Sequence, residues 1–265
     1  MDLQLTDKAA IVTGGSMGIG RAVAEGLAAE GCDVAIVARG RELLEQVAAE
    51  ISEASGRRCL PLVGDMSSTD DAYRVVNAAA EAFGGLDICV PNAGSSPGGL
   101  LEELTDDQWN ASLQLKFMGH VRTVRAAVPH LRDRGGGSIV MVVGNDGLKP
   151  SYWEMTAGVA NAADINFASS VAEQYGPIGI RCNTVNPGPV ATTRWDYLEE
   201  AMARDKKISR ERAHELTIES LPLGTICTAE QVADVVVFLA SDRGGYVNGA
   251  HILLDGGQRK ALMDV

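Results

Sequence analysis

The stretch 8-KAAIVTGGSMGIG-20 decides the fold. It opens as a short apolar run rich in strand-forming residues and stops at Gly14 and Gly15. Ile19, Val23 and Leu27 then recur at helical spacing, and Gly31 ends the helix they define. A strand passing straight into a helix through Gly14, Gly18 and Gly20 has a specific physical use. The glycines allow a tight turn, and they let backbone N–H groups and the helix N-terminus close on a pyrophosphate. The turn residues Gly14, Ser16, Met17, Gly18, Ile19 and Gly20 are therefore candidate dinucleotide contacts.

The same alternation continues outward from this unit. DVAIVAR (33–39) reads as a strand and RELLEQVAAEISEAS (41–55) as a helix. Further strands are expected at 59–65, 86–94, 137–144, 179–188 and 250–257, with helices at 70–83, 106–133, 155–175 and 228–240. Seven strands joined by helical crossovers predict an α/β fold, a Rossmann-type doubly wound parallel sheet in a single domain over 1–265. One charged excursion, 192–220, interrupts the alternation after the sixth strand and reads as a substrate lid.

Composition agrees with that frame. Apolar residues make up 46%, aromatic residues only 5%, and there are 30 glycines, which suits a sheet packed by Ala-, Val- and Leu-rich helices. A net charge of −12 opposes a nucleic-acid surface or docking on anionic lipid. No apolar run reaches the roughly 18–20 residues of a membrane span. The N-terminus lacks a basic segment followed by an apolar one, so a cytoplasmic location is expected. The five scattered cysteines read as small core residues in a reducing compartment, and the four histidines show no metal-ligand spacing, so no metal is expected. The partner expected is a small-molecule substrate.

Nucleotide choice is read at the end of the second strand. A carboxylate there would hold a ribose 2′-hydroxyl; the sequence has Ala38 and then Arg39, with Asp33 at the wrong end of the strand. Arg39 suits a 2′-phosphate, so NADP(H) is favoured over NAD(H).

With TGGSMGIG (13–20), Asp65 in VGDMSS, NAG (92–94), NPGPVAT (186–192) and NGAHILLDGG (248–257) in this order, the chain resembles the short-chain dehydrogenase/reductase family over nearly its whole length. The resemblance implies adenine contacts near Asp65 and Met66, and a cofactor lining from Asn92, Ala93 and Gly94. It implies that Pro187, Gly188, Val190 and Thr192 hold the nicotinamide end, and that the protein is a homo-oligomer, a tetramer or dimer. It further implies hydride transfer between a nicotinamide and a carbonyl or alcohol. In the family a tyrosine supplies the proton, a lysine one helical turn on lowers its pKa and holds the ribose, a serine orients the substrate oxygen and an asparagine completes a relay.

Here the chain departs from its family. Four residues after Tyr73, Tyr152, Tyr175, Tyr197 and Tyr246 stand Asn77, Thr156, Gly179, Ala201 and Ala250, so no Tyr-x-x-x-Lys exists. Counting back from NPG (186–188) puts Thr156 at the tyrosine position and Ala160 at that of the ribose-binding lysine. Counting from GSIVMVV puts Gly144 at the serine, and counting from Trp109 puts Lys116 at the asparagine. Tyr152, Asp146 and Lys116 are the candidate replacements, against the plainer readings of lid contact, turn residue and surface cation. Gly144, Asn145, Trp153, Thr156 and Trp195 are the expected substrate pocket, while Lys149 and Glu154 read as surface charges. The match of GSSPG (94–98) to a G-x-S-x-G hydrolase elbow is discounted, because Pro97 and further glycines continue the loop. An oxidoreductase is the leading reading. A lyase or dehydratase reusing the pocket, and a non-catalytic binding subunit, stay open.

Overall fold

Strands buried on both faces need unbroken apolar runs, and IVT, VAIV and IVMV supply them. The computed structural model describes residues 2–259. Its sheet has seven strands: β1 (Ala9–Thr13), β2 (Asp33–Ala38), β3 (Cys59–Val63), β4 (Ile88–Val90), β5 (Gly137–Val142), β6 (Ile180–Pro187) and β7 (His251–Leu254). They pair in parallel in the order β3-β2-β1-β4-β5-β6-β7, which is a single-domain doubly wound fold. The direction of winding reverses between β1 and β4, and the crevice that such a reversal opens lies at the carboxyl ends of the strands.

The two-residue period of a strand splits the core into two layers. Ala10 and Val12 of β1 pack with α1 (Gly18–Ala29), α2 (Arg41–Ser55) and α9 (Ala229–Ala240) on one face. Ile11 packs on the other face with α3 (Thr69–Phe83), α5 (Met118–Asp133) and α6 (Met155–Tyr175). Pro61 sits in β3, at the edge of the sheet, where a missing N–H costs no central ladder bond. The helix boundaries expected at 41–55 and 155–175 coincide with α2 and α6.

Cys89 and Cys182 are buried, and both pair with Ile139 from opposite sides. They are thus two strand spacings apart, about 9–10 Å, beyond the reach of a disulfide. Burial pushes the Cys89 thiol up to about 12. No helix of the described residues is long and apolar enough to cross a membrane.

Two segments differ from expectation. The helix expected at 106–133 is three pieces: α4 (Asp106–Ser112), a π turn (Leu113–Phe117) and α5. The widened turn is closed by a bond from the Met118 N–H to the Leu113 carbonyl, five residues back. Arg122 secures it, donating to the Gln114 carbonyl (2.8 Å), the Gln114 side chain (2.5 Å) and the Thr69 hydroxyl (3.1 Å). The excursion at 192–220 is two packed helices, α7 (Thr193–Lys206) and α8 (Arg210–Ser220). Leu198, Ala201, Met202 and Ala213 from this pair close around Trp153 in a small separate core.

Candidate functional site

The turn from β1 into α1 can be made only by glycine. Gly14 and Gly18 have φ of +69° and +54°, and a Cβ on Gly20 would lie 2.2 Å from the Gly14 carbonyl oxygen. Helix α1 then starts at Met17 with no side-chain cap and no acidic residue in its first turn. Its free amides and positive dipole end therefore face the crevice, which is the environment that a pyrophosphate requires. Thr13, which the sequence reading passed over as the end of a strand, stitches this end together. Its hydroxyl accepts from the backbone N–H groups of Asn92 (2.9 Å) and Ala93 (3.1 Å), while the Asn92 side chain donates to the Thr13 carbonyl (2.9 Å).

Every residue expected at the cofactor, from Gly14 to Thr192, lines one cleft of about 610 Å³, within the size range of small-molecule sites. At its far end Arg39 is exposed and holds no ion pair among the described residues. Asp33, at the opposite end of β2, is held by Arg58 (2.6 Å) and Arg57 (3.2 Å). Asp65 is fixed by Ser67, whose N–H and hydroxyl donate to it at 2.9 and 2.8 Å. The glycine turn and the uncapped helix start together fit the pyrophosphate of a dinucleotide.

At the other end the expected catalytic residues separate into two groups. Lys116 and Asp146 line the cleft, as do Gly144, Asn145 and Trp195. Tyr152 is half exposed and forms no part of the lining, so the fold does not bring it to them. Trp153 is buried in the core beneath α7 and α8, not in the cleft; its ring packs on Gly98, where a Cβ would come within 2.0 Å. Thr156 and Ala160 are likewise fully buried and turned away, the Thr156 hydroxyl donating to the Pro97 carbonyl (2.5 Å). The residues of α6 that do line the cleft at a four-residue spacing are Ala157 and Asn161, one place further on. The register counted from NPG is corrected by one residue: successive residues on a helix point about 100° apart, so only one of two neighbours can face the crevice.

Asn161 is the cleft residue that the sequence did not single out. Lys116 Nζ donates to Asn161 Oδ1 and to the Val143 carbonyl (3.3 Å), and Asn161 Nδ2 donates to Asp146 Oδ1. Two glycines stand close against this line. A Cβ on Gly144 would lie 2.5 Å from Asn161 Nδ2 and 2.7 Å from Asp146 Oδ1, and a Cβ on Gly94 would lie 3.1 Å from Lys116 Cγ. A side chain at Gly144 would have to displace the ends of Asn161 and Asp146 and so break the bond between them. Gly144→Ser is expected to lower stability by about 1–3 kcal/mol, as overpacking does, without gain of activity. Thermal unfolding checks this; an unchanged Tm would contradict the contact.

The remaining candidates serve the walls. The Asn145 amide donates to Gln258 (2.7 Å), and Lys149 Nζ to Asp255 and the Gln258 carbonyl (both 2.5 Å), which ties the segment after β7 across the cleft. Arg194 lines the cleft from α7, donates to the Ser96 carbonyl (2.9 Å) and lies 5.6 Å over the Tyr197 ring. Ser96 of GSSPG is buried and paired with the Ser112 hydroxyl (2.7 Å), with no histidine beside it.

The family described as enoyl-(acyl carrier protein) reductase matches residues 14–259. The peroxisomal 2,4-dienoyl-CoA reductase of Danio rerio is 33% identical over 256 residues, 96% of this chain and 82% of that one. The L-rhamnose 1-dehydrogenase (NAD(P)(+)) of Azotobacter vinelandii is 33% identical over 258 residues, 96% and 97% of the two chains. Among solved structures, L-sorbose reductase from Gluconobacter frateurii, complexed with NADPH and L-sorbose, superposes over 100% of both chains with a TM-score of 0.91 and 31% identity.

Proposed function

The chain belongs to the short-chain dehydrogenase/reductase family, and from that premise we propose that it is an NADP(H)-dependent oxidoreductase of small alcohols or carbonyls whose active site has been rebuilt. The nicotinamide dinucleotide, when bound, supplies or accepts the hydride. The glycine turn and the first amides of α1 hold the pyrophosphate, and Arg39 pairs with the 2′-phosphate. Asp65 and Met66 flank the adenine. Ala93, Gly94, Pro187, Gly188, Val190 and Thr192 line the nicotinamide end, where Lys116, Gly144, Ala157 and Asn161 stand at the four positions of the family's usual catalytic residues. Lys116 and Asp146 are the acid–base candidates, and α7 and α8 act as a lid that keeps water from the reacting oxygen.

The observation that carries this reading is the hydrogen-bonded line Lys116–Asn161–Asp146 in the cleft, with Gly94 and Gly144 at its two closest approaches. Erosion of an unused site would leave gaps or unpaired polar groups. This site instead has Lys116, Asn161 and Asp146 bonded to one another, with a glycine at each of the two closest approaches. A rebuilt site favours changed chemistry over none.

Calorimetric titration with NADPH, NADP, NADH and NAD tests the cofactor half. Binding with a clear preference for the phosphorylated pair is expected. Arg39→Asp should weaken NADP binding by about 1–3 kcal/mol, the strength of a charge-assisted hydrogen bond, and spare NAD. Equal loss for both nucleotides would remove Arg39 from the assignment.

A further inference from the structure

Lys116, Asn161 and Asp146 come from three different elements: the π turn, α6 and the loop after β5. The order of charge along them follows from the chemistry of an amide. An ammonium has three donors and no acceptor, so Asn161 must show Lys116 its oxygen. The Asn161 NH2 group then points the other way and needs an acceptor, which Asp146 supplies. Turning the amide over would set N–H against N–H at one end and oxygen against oxygen at the other. Asn161 therefore stands between Lys116 Nζ and the Asp146 carboxyl group, bonded to both, and no ion pair joins those two among the described residues. Two of the three Lys116 donors are used, on Asn161 and Val143, leaving one for a molecule in the cleft.

We infer that Asn161 is the positioning residue of this site, and that it presents Lys116 as the group that gives its proton to the substrate oxygen, with Asp146 as the anion behind it. The inference rests on the carbonyl–alcohol reading above. In reduction the carbonyl carbon accepts a hydride, with a reduced nicotinamide dinucleotide as reductant, and the C=O π pair moves onto oxygen. The O–H bond forms as a Lys116 N–H bond breaks, and the neutral amine regains its proton from water. In oxidation the amine takes the hydroxyl proton instead. A carboxylate against the ammonium would hold its proton tightly; the interposed neutral amide is the weaker acceptor and leaves that proton easier to give up.

The test reads the lysine itself and needs no substrate. The full-length protein is treated with trace acetic anhydride at fixed pH, and acylation at Lys116 is measured by peptide mass spectrometry. Only the neutral amine reacts. Asn161→Leu removes the acceptor, and the rate is expected to rise about tenfold, the effect of one pH unit. Asn161→Asp sets a carboxylate against the ammonium, and the rate is expected to fall about tenfold. Asp146→Asn keeps the shape of the site and should raise the rate if Asn161→Leu does not fold. Opposite signs at one position are not produced by loosened packing. Unchanged rates, or changes in the same direction for Asn161→Leu and Asn161→Asp, overturn the inference. NADPH titration of the same proteins separates the two ideas. Nucleotide binding with indifferent Lys116 reactivity sinks the positioning role alone, whereas opposite signs without nucleotide binding would keep the positioning of Lys116 and sink the oxidoreductase reading together with the proton transfer built on it.

Discussion

Gly20→Ala is expected to weaken dinucleotide binding by at least about 100-fold, some 2.7 kcal/mol. The added methyl would sit 2.2 Å from the Gly14 carbonyl oxygen and 2.4 Å from Asn92 Nδ2. Neither neighbour can step aside. The first is backbone at φ +69°, and the second is held by bonds to the carbonyls of Thr13 and Gly14 at 2.9 and 3.3 Å. The start of α1 must therefore retreat by roughly 1 Å to reach ordinary contact, carrying its first amides away from the anion they face. Because Thr13 and Asn92 join β1 to β4, the shift also disturbs the centre of the sheet, and a fall in Tm should accompany the loss of binding. Calorimetry with NADPH and thermal unfolding measure the two effects. Undiminished affinity would mean that the pyrophosphate does not lie on this turn.

The sheet and its order were legible because each βα unit announces itself locally: an apolar run, a glycine, then a helical repeat. The glycine turn was legible for the same reason. Lys116 was legible as a candidate, but the π turn that carries it and its bond to Asn161 were not, because both are set by tertiary contacts. The apolar pattern runs without a break through 106–133, and nothing in it marks the extra residue at Leu113–Phe117. That widening is held by Arg122 reaching back to Gln114 and across to Thr69 on α3. The one-residue slip between Thr156 and Ala157 has a similar cause. Residues 156–163, TAGVANAA, are nearly all small, so no side-chain size identifies the face turned to the cleft. Burial decides it, and burial depends on Pro97 accepting from Thr156, a contact across 59 residues of chain. Aromatic character misled at Tyr152 and Trp153. The first is half exposed outside the cleft and the second fills the separate core under α7 and α8, because a ring is as useful for packing a lid as for lining a pocket.

Lys116→Met is expected to lower kcat by about 10²- to 10⁴-fold, the usual worth of a positioned general acid, with NADPH affinity much less affected. Methionine keeps the length of the stem where it passes Gly94 and removes the charge alone. Lys116→Arg should not rescue it. A planar guanidinium is wider than an ammonium and cannot meet both the Val143 carbonyl and Asn161 Oδ1 without pushing on the Asn161–Asp146 bond. The more searching experiment exchanges the two ends of one hydrogen bond. Lys116→Asn alone should be as poor as Lys116→Met, since two amides then face each other. Adding Asn161→Lys returns an ammonium to the same gap, now carried by α6, with an amide opposite it on the π turn. The pair should recover at least about tenfold of the lost kcat, a coupling that residues sharing one bond show and independent sites do not. Recovery will be incomplete, because the relocated ammonium lies directly against Asp146, which competes for the N–H that the substrate oxygen needs. If the double exchange is as inactive as Lys116→Asn, the place of the ammonium does not decide the chemistry, and Lys116 is a support of the cleft floor in place of a proton donor.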